Sequence, residues 1–570
     1  MKNMKKNKFK LKKIDKTKIT LIISFLFIFF LYNYINFLGP NWIQYADEGV
    51  NLYLSHEYIT EGSFTINNSL NEEFSTDAFT KLIYFSGKEV PNKPLGISLL
   101  ITPIYTLEEK SPFFLISLIC FLGVLFFYLF VKYNFGEKVA LLSICFFAIS
   151  SPQIFWSNFL VANFPAFSFF IGGIYFLQRR MDTNNRKFVI TSAILFAVSS
   201  LLRYESAIFL MILFFILMIS KIKLKQGKRR IDFKEIYLFL IVFILFVSPM
   251  FYLNYKFYGH PLKINYGILT KADNLGDGGL FGFFKSMIIP YPVKIMSFSE
   301  AFSWIANNFD KYIIKVCVFF PFGIIGFLLL IKRRKVNEYI IAISLISVLW
   351  TLWHFSMYHW GWNTANYIIS AYPRYLPITY ATFSIFTAYT IGWIVKINKK
   401  MSVNRYIVHH FLITFILALI FLTHFLNTFW GLFGDGNAFK SYEVLKRRNY
   451  ELNRWLKSIS DKSVIISSYY VPRIIEKPVL DLKKVPGIYD KVNLMLQKWE
   501  VSLNQEGLDN LSKYIFKLNK KGYKIYIIEC AEHKKSYLNI AKILEGKIHL
   551  KIKKIKNYSD RRRIIYRIEM

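Results

Sequence analysis

The chain has 570 residues, 54% of them hydrophobic and 19% aromatic, and its 73 Lys and Arg against 36 Asp and Glu leave a formal charge of +37. A mean hydropathy of +0.32, with the apolar residues gathered in long runs, excludes an ordinary soluble globular protein and points to a polytopic α-helical membrane protein. The positive charge does not signal nucleic acid, because many of the Lys and Arg residues sit at the ends of apolar runs.

Residues 1–18 form a basic tail with nine lysines before Ile19. The run 19–38 matches the roughly 20 apolar residues that a bilayer requires. It carries Asn33, Tyr34 and Asn36 near its end instead of a small-residue cleavage site, so it reads as an uncleaved first span. Further spans fall near 112–132, 138–155, 160–178, 187–202, 206–220, 236–256, 312–331, 338–355, 375–395 and 405–430, which makes about eleven. With a cytoplasmic N-terminus, Lys132 and Lys138, Arg179-Arg180 with Arg186-Lys187, Lys221 to Arg230, Lys332 to Lys335 and Lys396 to Arg405 all lie in inner loops. That one-sided distribution is what the positive-inside rule requires. The opposite loops are 39–111, 156–159, 203–205, 257–311 and 356–374. The run 187–220 is split at Arg203-Tyr204-Glu205, since an unbroken span would bury two charges at the bilayer centre. Segment 95–107 is too short to span and reads as a re-entrant or interfacial helix.

After the last span the pattern changes. Segments 463–468, 479–482 and 523–529 read as short strands rich in β-branched residues. Segments 441–456 and 508–518 have helical spacing. Three parts result: the basic cytoplasmic tail 1–18, a membrane domain 19–433 with large outer loops 39–111 and 257–311, and a small extracytoplasmic α/β domain 434–570. The lysine content of that last domain carries no topology information, because long domains cross membranes regardless of charge. Cys120, Cys145, Cys317 and Cys530 show no paired spacing, which gives neither a disulfide framework nor a metal knuckle.

Candidate functional residues cluster at the outer ends of spans. Asp47-Glu48 follows the first span, and adjacent carboxylates at a membrane surface are costly unless they bind something or stay solvated. A transferase that moves a sugar to a hydroxyl needs a carboxylate to take the acceptor's proton. A divalent cation beside it would need oxygen ligands. The bland alternative is a solvated pair marking a helix start. Lys93, before Pro94, is a point charge suited to phosphate or an interfacial anchor that snorkels. Arg203 and Glu205 interrupt an apolar run, either to serve function or to pair with each other. Arg374 opens a span from the outer side, where the positive-inside rule does not explain it, and a guanidinium there can grip a phosphate bidentately. The aromatic stretch 353–362 reads as an interfacial belt. His354 and His359 within it are possible substrate or metal contacts, although their spacing does not match a helical His pair.

Taken together, these residues resemble the GT-C glycosyltransferases that use polyprenyl-phosphate sugars, in the branch of protein O-mannosyltransferases and the aminoarabinose transferase of lipid A. The likeness rests on Asp47-Glu48 with a helical stretch through Tyr58, Glu61-Gly62-Ser63-Phe64, and Lys93-Pro94-Leu95. It also rests on Ser151-Pro152 with Phe155 and Trp156, on the Asn254-Tyr255 to Gly259-His260-Pro261 stretch, and on Arg374-Tyr375-Leu376-Pro377. It covers roughly residues 20–380. Two departures stand out: the second proline after Lys93 is missing, and Asn51 stands where a tyrosine is common.

The resemblance implies a donor sugar carried on a polyprenyl or dolichyl phosphate and a protein, lipid or glycan acceptor, at the extracytoplasmic face of the cell membrane. It implies Asp47 as the catalytic base or acceptor-orienting group, with Glu48 in support or on a metal. It implies Lys93, Arg374 and Arg203 at the lipid phosphate, and Glu205 and His359 as further substrate or metal contacts. The cofactor stays open, a divalent cation such as Mg or Mn being compatible with the carboxylates. The acceptor hydroxyl would attack the anomeric carbon directly and invert it. No Gly-rich phosphate loop for a nucleotide sugar is seen. The rival reading, a transporter or lipid flippase, expects internal symmetry with matched broken helices, and neither is evident.

Overall fold

The computed structural model describes residues 16–38, 46–62, 64, 79–80, 83–85, 88–90, 94–108, 111–183, 185–223, 233–261, 298–317, 319–333, 336–356, 371–398, 403–433, 438, 451–452, 454–456, 458–460, 462–467, 479–481, 488–493, 498–503, 505–530, 544–546, 550–557 and 563–569. The first apolar run forms α1 (Lys16–Tyr32) and the short α2 (Tyr34–Leu38), offset at Asn33, whose Nδ2 donates to the Phe29 carbonyl at 2.9 Å. The outer loop that follows contributes α3 (Ala46–Glu61), the two- and three-residue strands β1 (Phe79–Thr80), β2 (Ile83–Phe85) and β3 (Lys88–Val90), and α4 (Gly96–Tyr105).

The bundle continues through α5 (Ser111–Phe135), α6 (Glu137–Ala148), α7 (Ser151–Trp156), α8 (Asn163–Thr183), α9 (Arg186–Leu202), α10 (Glu205–Lys223) and α11 (Phe233–Tyr258). Next come α12 (Phe298–Phe309), a π-helical turn at Asp310–Ile314, α13 (Phe320–Lys332), α14 (Glu338–Ser356), the short α15 (Ala371–Tyr375), α16 (Pro377–Asn398) and α17 (Val403–Phe433). Each apolar run of the sequence has a helical counterpart. Among the described residues, five stretches are by themselves long and apolar enough to cross a membrane: Ser111–Phe135, Lys234–Phe257, Glu338–Phe355, Pro377–Ile397 and Thr414–Phe433.

Two runs are less regular than expected. The run 138–155 is broken between α6 and α7, where Ser150 adopts an extended backbone and Pro152 sits in the first turn of the new helix. Proline lacks the N–H that an unbroken helix would need there. The run 312–331 starts in the π-helical turn and resumes as α13 only at Phe320.

Rows of exposed apolar residues, such as Ile241, Ile244 and Leu245 on α11 and Phe415, Leu419 and Leu422 on α17, face outward. Such surface suits lipid, not water. Inside, small residues let helices approach closely. A Cβ on Gly326 of α13 would stand 2.0 Å from the Phe386 carbonyl oxygen of α16. Thr390 of α16 returns a hydrogen bond to the Phe322 carbonyl at 2.7 Å.

The loops sort to opposite ends of the bundle. At one end Asn134 and Gln178 exchange hydrogen bonds of 3.1 and 2.7 Å, Asn337 donates to Asn134 Oδ1 at 2.5 Å, and Arg180 pairs with Glu235. All four segments adjoin basic loops. The other end gathers α3, the turn 157–162, Arg203 and Arg374, which are described below.

The C-terminal part holds a six-stranded sheet of order β1-β5-β4-β8-β10-β9. Its strands are β4 (Ser463–Ser467), β5 (Val479–Asp481), β8 (Lys524–Cys530), β9 (Lys551–Asn557) and β10 (Arg563–Glu569), joined by β1 from the first outer loop. A separate hairpin pairs β6 (Ile488–Asn493) with β7 (Lys498–Leu503). β4 runs parallel to β5 and β8, so both faces need cover. Helix α18 (Gln505–Lys520) lays Leu511, Ile515 and Leu518 over Val464, Ile466, Ile525 and Ile527. Leu452, Trp455 and Leu456 cover the other face, against Ile465, Tyr526, Ile528 and Ile565. The expected helix 441–456 lies mostly outside the described residues. β9 and β10 are strands that the sequence reading did not pick out.

β1 pairs antiparallel with β5, Phe79 opposite Leu480 and Thr80 opposite Val479. Opposed residues in antiparallel strands have Cα atoms about 4.5–5.5 Å apart, within disulfide reach. With the four native cysteines replaced by Ala, the pairs Phe79→Cys/Leu480→Cys and Thr80→Cys/Val479→Cys are expected to oxidise in intact membranes. Peptide mapping under non-reducing conditions reads the link. Absence of both links would remove β1 from the sheet.

Candidate active site

Helix α3 presents Glu48 and Asn51 three residues apart, on one face, and both grip the backbone of the same residue, Leu160. Glu48 is fully buried, and its Oε1 accepts the Leu160 backbone N–H at 3.1 Å. Asn51 Nδ2 donates to the Leu160 carbonyl at 2.9 Å. Leu160 lies in the non-helical turn between α7 and α8, where no helix supplies its backbone partners. Asn51 Oδ1 also accepts from Ser98 Oγ at 3.4 Å, and Ser55 Oγ donates to the Ser98 carbonyl at 3.1 Å. α3 is thereby fastened to the turn on one side and to α4 on the other. α4 in turn meets α9 at Gly96, where a Cβ would stand 2.3 Å from the Leu201 carbonyl oxygen. Glycine alone allows that approach, two residues before Arg203.

Arg203 and Arg374 converge on the ring of Tyr375. The Arg203 guanidinium lies 5.2 Å from the ring centroid and that of Arg374 lies 5.0 Å away. Arg374 Nη2 also donates to Tyr375 Oη at 2.9 Å, and its guanidinium sits 5.6 Å from the Trp156 ring. Guanidinium groups held over aromatic faces keep their charge while losing water. Arg203 Nη2 donates to Glu205 Oε1 at 2.5 Å, so the two charges that interrupt the apolar run do pair. Tyr375 is fixed independently: the His354 ring stacks on it at 4.6 Å, and Trp350 Nε1 donates to its carbonyl at 2.8 Å. A small aromatic cleft opens beside the pair, with Phe167, Phe170, Phe209 and Trp350 on its walls along with Arg203 and Glu205.

Of the residues expected from sequence, Arg203, Glu205 and Arg374 therefore meet around one ring. Glu48 is tied to the same region through Leu160, four residues past Trp156. Glu48 is turned into the protein as an anchor for the turn. Asp47 belongs to the first turn of α3, but its side chain lies outside what the structure describes, as do Lys93 and His359 altogether. His354 packs against Tyr375 and Trp350. Among the described residues no three His, Cys, Asp or Glu side chains gather as metal ligands. The Asn254 to Pro261 motif closes the end of α11: Gly259 takes φ +74°, and Asn254 Nδ2 donates to the Pro261 carbonyl at 3.2 Å.

Sequence reasoning missed the roles of Asn51, Ser98, Trp156, Trp350 and Tyr375. Tyr375 and Trp156 both stood inside noticed motifs, and an aromatic beside an outward arginine was the available signal. Ser98 and Trp350 carried none, because their partners are backbone and side-chain atoms far along the chain.

Residues 92–252 match the family model described as dolichyl-phosphate-mannose-protein mannosyltransferase. No curated protein sequence matches the chain. The fold is similar to the crystal structure of ArnT from Cupriavidus metallidurans in the apo state, with TM-score 0.54 and 11% identity over 97% of this chain and 98% of that one. The same protein bound to undecaprenyl phosphate gives TM-score 0.54 and 10% identity over the same shares. The archaeal oligosaccharyltransferase AglB from Archaeoglobus fulgidus, in complex with an inhibitory peptide and a dolichol-phosphate, gives TM-score 0.50 and 10% identity over 90% of this chain and 70% of that one. The chain is thus a polytopic membrane protein with the GT-C glycosyltransferase fold, and its segment 92–252 carries the sequence pattern of the mannosyltransferase family.

Proposed function

We propose that the chain is an integral-membrane glycosyltransferase that moves a sugar from a polyprenyl- or dolichyl-phosphate donor to an acceptor on the extracytoplasmic face. The observation that carries this reading is the convergence of Arg203 and Arg374 on Tyr375 beside an aromatic cleft. Two guanidinium groups beside the single carboxylate of Glu205 suit an anionic phosphodiester. An apolar wall beside that charge suits a lipid that carries its phosphate at the membrane surface.

Lys93 joins the two arginines as a third cation at the phosphate, three residues before the Gly96 contact that holds α4 near Arg203. The acceptor oxygen attacks the anomeric carbon while the bond from that carbon to the phosphate oxygen breaks. Lipid phosphate leaves with the bonding electrons, and the anomeric centre inverts. The cations stabilise the charge that grows on the departing phosphate. Asp47 takes the acceptor's proton, and Glu48 and Asn51 keep its helix in register with the Leu160 turn. The β1–β5 pairing supports a common side for the first outer loop and the C-terminal domain, since an even number of crossings must then separate them. The sequence reading has ten between them.

Asp47→Asn keeps shape and removes the base. Sugar transfer in membranes is expected to fall by at least the ~10²–10⁴-fold typical of general-base loss, with the thermal transition unchanged. Near-full activity would move the base elsewhere. Arg374→Ala and Lys93→Ala are expected to act on the phosphate instead, raising KM for the lipid donor as well as lowering kcat. A reporter active only in the cytoplasm, fused after Met570, is expected to stay silent. Strong signal would invert the assigned orientation.

A further inference from the structure

Glu205 opens α10 at the wall of the cleft, and the described residues use only one of its two carboxylate oxygens. Oε1 receives Arg203 Nη2 at 2.5 Å. Oε2 is buried and has no hydrogen-bond partner among the described residues, and the side chain as a whole is 5% exposed. A buried acceptor without a donor is costly, so native interiors pair such atoms. The cleft walls around it are largely aromatic, from Phe167, Phe170, Phe209 and Trp350. The indole N–H of Trp350 is committed to the Tyr375 carbonyl. Ser206 and Asn163 also line the cleft without bonding to Oε2.

We propose that Glu205 Oε2 is the acceptor for a sugar hydroxyl of the donor, so that the cleft selects a neutral, polyhydroxylated sugar. This rests on reading Arg203 and Arg374 as the phosphate site. A sugar joined to a phosphate held by Arg203 stands within a bond or two of that phosphate. Glu205 is tied to the same guanidinium and occupies that position. The aromatic walls suit the C–H faces of a pyranose, and one fixed polar group among apolar neighbours is how such pockets orient a ligand. The residue has two separable effects. Its charge offsets Arg203 and weakens the hold on any anion. Its Oε2 strengthens the hold on an anion only when that anion carries a hydroxyl in the right place.

Binding to the full-length protein in nanodiscs separates them. The probes are undecaprenyl methyl phosphate, a monoanionic diester without sugar, and undecaprenyl phosphate diesters bearing mannose, glucose or galactose. All four carry the same charge, so electrostatics alone moves them together. Wild type is expected to prefer at least one sugar-bearing probe over the methyl diester. Glu205→Gln is expected to tighten the methyl diester while the preference for that sugar falls by about tenfold, the scale of losing one charge-assisted hydrogen bond. Glu205→Asp, which keeps the charge but withdraws the oxygens, is expected to lose the preference without tightening the methyl diester. A wild type that binds the methyl diester and shows no sugar preference would overturn the proposal, as would a Glu205→Gln that shifts all probes equally. In either case Glu205 serves only to pair Arg203. If Arg374→Ala leaves binding of the methyl diester unchanged, the phosphate reading itself falls.

Discussion

A stretch of chain inside the bundle that is not helical must find partners for its backbone from elsewhere, because neither lipid nor packed side chains supply them. The stretch from the Ala148 carbonyl to Ala162, around the short α7, sets that demand here. Four side chains answer it from three different helices, with a fourth helix in support. Tyr32 of α1 donates to the Ala148 carbonyl at 3.1 Å, and Ser117 of α5 to the Ser157 carbonyl at 3.1 Å. Asn51 of α3 caps the Leu160 carbonyl while Glu48 takes its N–H. Asn36 of α2 donates in turn to Ser117 Oγ at 3.1 Å. Satisfying one irregular segment thus fixes where four helices meet, and the Trp156 that supports Arg374 rides on that segment.

The charged groups depend on this frame. Two arginines in a largely buried place repel each other and lose hydration unless something offsets the cost. Here Glu205 offsets one charge, and the Tyr375 and Trp156 rings share the other. Tyr375 accepts both guanidinium groups because His354 and Trp350 hold it from behind. Removing the Tyr375 ring would take the support from both cations at once, whereas removing only its hydroxyl would free a single Arg374 contact.

Much of this was legible in the chain because it follows from local rules. Charges at the ends of apolar runs gave the helices and sorted the loops into two sets. The interruption at Arg203-Tyr204-Glu205 marked a turn and an ion pair together, since two adjacent charges in an apolar run have few other outcomes. What escaped depends on distant partners. The break at Ser150 hides in an apolar run because the Ala148 carbonyl beside it is taken by Tyr32, far away in sequence. β9 and β10 read as polar stretches, since Lys551, Lys553 and Lys554 stand on an edge strand whose exposed side tolerates charge. Glu48 looked like a chemical group because it sits beside Asp47. Its burial against Leu160 could not be inferred without knowing where α7 ends.

The pairing of β1 with β5 also bears on how the molecule is made. Phe79 and Thr80 emerge from the ribosome about four hundred residues before Leu480 and Val479, which at roughly 5–20 residues per second is tens of seconds of synthesis. Through that interval the first loop has no sheet to join, and the edge it later covers does not yet exist. The segment leading to Lys93 reaches this tether only once β5 has been translated. A polypeptide cut short between the final span and β5 would therefore carry the helical bundle with β1 unpaired. Such a product offers a protease an open strand, whereas the finished chain presents a closed one.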